Sequence, residues 1–142
     1  MTVAAIAVVL GKSAALRRRV EFELTNMTRE GLSAEAIASL AEDLSIERTT
    51  LARVVGTSDR KFSVRLASGS RLSADESKRV ARIARVVAKS VDTFGTLEKA
   101  SHWLNGSNRA LGGQVPLDLL RADEGAQEVE TILGRIDYGL YS

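Results

Sequence analysis

Cysteine is absent from the 142-residue sequence, which removes disulfides, thiolate metal sites and cysteine nucleophiles from consideration. Histidine occurs once, at His102, and proline once, at Pro116. A lone histidine with no cysteine beside it reads as a surface or packing residue rather than a metal ligand or catalytic base. The scarcity of proline leaves the chain open to helix, whose interior proline breaks. Long apolar runs are missing as well. Val3–Leu10 spans eight residues, against the roughly 20 that a membrane-crossing helix needs, and no basic residue precedes it as in a secretory signal. A cytoplasmic chain with no membrane partner is the expectation. Glu128 and Glu130 stand two apart, on different faces of any helix, and Gly112-Gly113 is not followed by the Lys-Ser/Thr of a phosphate loop. With no catalytic or metal constellation and no repeat, neither enzymatic activity nor a cofactor is expected.

Hydrophobic residues make up 44% of the chain and charged residues 27%, the balance of a folded domain rather than a disordered one. The net charge of +2 conceals an uneven distribution. Between Arg48 and Lys89 there are eleven Lys and Arg against three acids, whereas from Asp118 onward six acids face two arginines. A basic centre suits a polyanionic partner, and the acidic tail suggests a different task; a solvated charged face is the plainer alternative.

Capping residues and glycines divide the chain into helices. Ser33 is placed to cap a helix over residues 34–44, and Ser45 or Ile46 to open another that ends at Val55 before Gly56. Ser58 caps the next, to about Ala67, with Gly69 as its stop. Ser73 and Glu76 form a capping box ahead of a helix with two stripes: apolar Val80, Ile83, Val87 and Val91, and basic Lys78, Arg82, Arg85 and Lys89. Thr96 opens a helix through Trp103 and Leu104, a Gly/Asn-rich loop covers 105–115, and Pro116 starts a short helix through Leu120. A last helix runs over about 124–138 and stops at Gly139. Trp103, Leu104, Leu117 and Leu120 are expected in the core. The first thirty residues are ambiguous: Leu16, Val20, Phe22 and Leu24 suit helix and strand alike, and Arg17–Arg19 is either a nucleic-acid contact or a solvated run. A boundary near Val91–Gly95 yields two modules, residues 1–92 and 93–142, in an all-α chain.

Residues 48–67 have the pattern of a helix-turn-helix. Leu51 and small Ala52 let the second helix approach the first, Val55 closes the core, and Gly56 allows the turn. Phe62 and Leu66, four apart, anchor the second helix inward and leave Arg60, Lys61, Val64 and Arg65 facing out. In a major groove, arginine pairs bidentately with guanine and lysine neutralises phosphate. The candidate DNA-facing set is Ser58, Arg60, Lys61, Val64, Arg65 and Arg71, with the following basic stripe lying along the flanking backbone. Two residues depart from a simple repressor pattern: Thr57 stands where an apolar turn residue is usual, and Arg65 where a hydrophobic one is preferred.

The distal half is more specific. Ala100-x-x-Trp103-Leu104, then Asn108-x-Ala110-Leu111-Gly112-Gly113-x-x-Pro116-Leu117-x-Leu119-Leu120, then Gly125-x-x-x-Val129-x-x-x-Leu133-x-Arg135-Ile136-x-x-Gly139 resembles the Xre/MbcA/ParS toxin-binding domain. Gly31-Leu32-Ser33 and Leu72–Ser77 resemble the same antitoxins. The resemblance implies a type II antitoxin paired with a RES-domain toxin that consumes NAD. It implies that the C-terminal domain obstructs the toxin's active site. It also implies that the helix-turn-helix represses the shared operon as a homodimer or a larger toxin–antitoxin assembly on operator DNA. Toxin contacts are expected at Leu111, Gly112, Gly113, Tyr138, Leu140, Tyr141 and Ser142, because a short tail with two tyrosines offers broad amphipathic surface; a frayed terminus is the plainer reading of that tail. A stand-alone regulator whose C-terminal module only mediates oligomerisation is the competing expectation.

Overall fold

The computed structural model describes residues 31–139; the expectations for Val3–Leu10, Leu16–Leu24, Arg17–Arg19 and Leu140–Ser142 lie outside the described residues. Among the described residues seven α-helices follow one another: α1 (Glu35–Asp43), α2 (Arg48–Val55), α3 (Asp59–Ser68), α4 (Ala74–Phe94), α5 (Leu97–Asn105), α6 (Pro116–Leu119) and α7 (Asp123–Asp137). A 3-10 turn at Arg109–Leu111 lies between α5 and α6. Among the described residues there are two isolated antiparallel bridges, Ser33 with Arg71 and Asn108 with Gln114. No helix there is long and apolar enough to cross a membrane. The all-α expectation holds.

Most caps fall where the side chains require them. The hydroxyls of Ser58 and Thr96 accept from the amides of Lys61 and Lys99, and Ser73 and Glu76 satisfy each other's amides. Two starts differ from expectation. Ser33 caps nothing, because its backbone is paired with Arg71 and α1 begins after Ala34. Ser45 and Ile46 belong to the end of α1: their amides bond to Glu42 O at 3.1 Å and Ala41 O at 3.0 Å. Ser45 adopts φ +55°, and α2 starts only at Arg48.

The long helix α4 organises the molecule. Its expected apolar stripe is buried, and so are Ala81, Ala84, Val86 and Ala88. The helix therefore carries neighbours around most of its girth: α1 and α2 toward its start, α5 and α7 more extensively. One apolar core runs from Leu32 to Leu133 without interruption. Polar ties cross it. Ser101 Oγ and Asn105 Nδ2 of α5 donate to Leu44 O, at 2.7 and 3.0 Å, at the end of α1. Arg82 of α4 donates to Leu120 O at 3.3 Å and pairs with Asp123 at the start of α7.

That pairing corrects the reading of the basic stripe. Lys78 is exposed, but Arg82, Arg85 and Lys89 are half-buried, and Arg82 is bound to the C-terminal helices rather than offered to a DNA backbone. The cause is burial around the girth: with α7 against α4, its long cation lies along the seam and finds a carbonyl and a carboxylate there.

Candidate nucleic-acid interface and partner-facing surface

Helices α2 and α3 form the anticipated pair, joined by Gly56 at φ +91°, Thr57 and Ser58. A side chain at residue 56 would meet Arg79 Nη1 at 2.7 Å, because Arg79 reaches across to donate to Val55 O at 3.2 Å. Leu51, Ala52, Val55 and Phe62 are buried as expected. Ser58, Arg60, Lys61 and Val64 lie on one exposed face of α3, with Val64 57% exposed. Arg71 is exposed as well, its guanidinium held 2.6 Å from Gly31 O.

Arg65 is not part of that face. Its guanidinium turns inward onto the Glu76 carboxylate, correcting the expectation that it faces out. Glu76 is buried and also accepts from Thr57 Oγ1 at 2.5 Å and from the Ser73 amide at 2.9 Å. Burial alone pushes its pKa up, but the donors from Thr57, Ser73 and Arg65 outweigh that effect and hold it at about 2. The two departures from a simple repressor pattern thus have one explanation: Thr57 and Arg65 are the donors for a single buried carboxylate. Sequence reasoning saw Glu76 only as half of a capping box. The unusual polarity at 57 and 65 was the signal that it does more.

Between α5 and α6, Asn108 and Gln114 close a small loop, with Asn108 N bonded to Gln114 O at 3.0 Å and Gly113 N to Asn108 O at 2.8 Å. Gly112 and Gly113 sit at φ +67° and +85°, backbone angles that cost a side-chain-bearing residue energy, and both are exposed at the loop tip. Leu111 is buried: its side chain anchors the loop instead of presenting itself to a partner, which corrects its assignment to the contact set. Tyr138 is 87% exposed at the end of α7. Trp103, expected in the core, is half-buried against Phe94, ring centroids 5.4 Å apart; Leu104, Leu117 and Leu120 are buried. Gly125 has a packing reason invisible in the sequence: a Cβ there would sit 2.0 Å from Leu119 O.

Residues 23–85 match the antitoxin Xre-like helix-turn-helix domain, and residues 90–139 match the antitoxin Xre/MbcA/ParS C-terminal toxin-binding domain. The protein named Antitoxin Xre from Photorhabdus laumondii is 32% identical over 120 residues, covering 84% of this chain and 81% of that one. This chain belongs to the Xre antitoxin family. The Antitoxin Xre of Yersinia enterocolitica is equally similar, 32% identical over 120 residues with the same coverage. The Prs ADP-ribosylating antitoxin of a Sphingobium species is 25% identical over 137 residues, covering 90% of this chain and 86% of its own length. The exposed α3 face of this Xre-family antitoxin lies within the matched helix-turn-helix. The loop at 108–114 and the exposed end of α7 lie within the matched toxin-binding domain. Both matched regions enter α4, the first ending at residue 85 and the second beginning at residue 90.

Proposed function

We propose that this antitoxin neutralises a RES-type, NAD-consuming toxin by direct binding, its loop tip Gly112-Gly113 and the stretch Tyr138–Ser142 obstructing the toxin's active site. As a homodimer or a larger toxin–antitoxin assembly, it represses its own operon through Ser58, Arg60, Lys61, Val64 and Arg71. The observation that carries the reading is a helix-turn-helix and a toxin-binding domain packed around one shared helix, α4, in a single core. The Sphingobium relative's name adds chemical direction, since ADP-ribosyl transfer draws its group from NAD. The antitoxin itself is read as non-catalytic: its part is to occupy, not to react.

Affinity capture of the tagged chain from its native host tests this. The expected eluate contains a protein that depletes NAD once it is separated from the antitoxin. Recovery of operator DNA with no such protein would replace the antitoxin reading with that of a stand-alone regulator.

A further inference from the structure

Two large apolar side chains are exposed among the described residues, Val64 and Tyr138. Val64 lies at the centre of the surface that α3 turns to solvent. On a helix of 3.6 residues per turn it stands about 180° from the midpoint of Phe62 and Leu66, the side chains that hold α3 to the core. Exposed Arg60 and Lys61 flank it one turn earlier, exposed Ala67 and Ser68 one turn later. We propose that Val64 reads the C5-methyl group of a thymine in the major groove, so that the operator site this chain selects carries a thymine at Val64. The proposal rests on the operator-binding reading above and names a base that the α3 face recognises.

Folding gives no reason for a valine at this position. Val64 is not part of the core, and at an exposed helical site a branched side chain favours helix less than alanine does. The surroundings narrow what it meets. An apolar protein surface would take the flanking cations out of water at a cost, whereas DNA neutralises them with phosphate. In the major groove of DNA the apolar feature of a base edge is the thymine methyl. RNA carries uracil instead, and side chains cannot read its narrow major groove.

Reach agrees with this assignment. A valine extends only as far as its own methyls, so it touches a base edge only where adjoining side chains are no longer than it is. Ala67 and Ser68 meet that condition toward the end of α3. Arg65, the long cation next in sequence, is turned away onto Glu76. Arg60 and Lys61 are long enough to pass Val64 and meet a guanine edge or a phosphate. Valine in a helix is held close to one χ1 rotamer, so ordering it against a methyl group costs little side-chain freedom.

The test uses the full-length antitoxin and duplexes that it selects from a randomised pool. Each thymine of the selected site is replaced in turn by deoxyuridine, which removes the methyl and leaves the pairing edge unchanged. At one thymine or more, uracil is expected to weaken wild-type binding about fourfold, the worth of one buried methyl. Val64→Ala should bind the thymine duplex at least as weakly as that, and should not distinguish uracil from thymine at the same position. Its slope of log affinity against log salt should equal that of wild type, because no phosphate contact is lost. A selected site at which wild type ignores every uracil, or responds to each just as Val64→Ala does, would overturn the proposal and leave operator binding intact. Selection of no sequence at all would overturn the operator reading and this proposal with it.

Discussion

Arg65 of α3 and Glu76 of α4 form an ion pair that fixes the outer helix of the helix-turn-helix to the first turn of the central helix. Thr57, in the turn before α3, donates to the same carboxylate. The exposed α3 face is therefore tied to the body of the molecule at a buried charge as well as by the buried Phe62. Removing one partner of such a charge leaves the other desolvated and unpaired.

Stability should consequently fall in acid with a dependence on Glu76. Its carboxyl titrates at about 2 in the folded chain, against an ordinary value of 4.5. The contribution is thus fully present above pH 4.5 and is lost as pH falls from there toward 2. The shift corresponds to about 3 kcal/mol. Urea unfolding of wild type and Glu76→Gln, measured between pH 6 and pH 2, should show stabilities converging by roughly that amount at low pH. A constant gap across the range would contradict the assignment.

Arg60, Lys61 and Arg65 should separate into two classes. Arg60→Ala and Lys61→Ala are expected to leave stability within about 0.5 kcal/mol, while each lowers the slope of log operator affinity against log salt by about one unit if it contacts phosphate. Arg65→Ala should instead destabilise the fold by about 3 kcal/mol by stranding Glu76. Thermal melts and salt-dependent binding titrations on the same three variants distinguish these outcomes.

The residue types that cap helices announced themselves, because a cap is decided within three or four residues of the chain. Ser58, Ser73 with Glu76, Thr96 and Pro116 all act where their local sequence places them. The directions of Arg65 and Arg82 were not legible, because a periodic pattern assigns a face to a cation but not the carboxylate it meets. Glu76 lies eleven residues after Arg65, and Asp123 reaches Arg82 only once α7 has packed on α4. Ser33 failed as a cap for a similar reason, since its backbone was claimed by Arg71. In the toxin-binding domain, the turn at Gly112-Gly113 was legible from its two glycines, while the burial of Leu111 beneath it depended on contacts with α7.

Gly125→Ala should be among the most damaging single-methyl additions at the glycines of the described residues. Gly125 lies in α7 close to α6, and the new Cβ would stand 2.0 Å from the Leu119 carbonyl oxygen and 2.9 Å from its carbon. Backbone cannot yield as a flexible side chain does, so a loss of about 3 kcal/mol is expected. Calorimetry should show a lowered Tm; an unchanged Tm would mean that α6 shifts away freely.

The two modules should unfold together. Ser101 and Asn105 donate to Leu44 O across the modules, and Arg82 ties α4 to Leu120 and Asp123. Full-length antitoxin is expected to show one calorimetric transition. A fragment ending at residue 92 leaves the apolar side of α4 uncovered, and its amide spectrum should be poorly dispersed. Two separate transitions in the intact chain would contradict the shared core.

The central claim, that this chain silences an NAD-consuming partner, is tested most directly by titrating it into its purified cognate toxin while NAD is followed. The account predicts that NAD consumption falls to the uncatalysed rate at a stoichiometric ratio, and that removing residues 138–142 restores it. Consumption that continues unchanged at excess antitoxin would contradict the account.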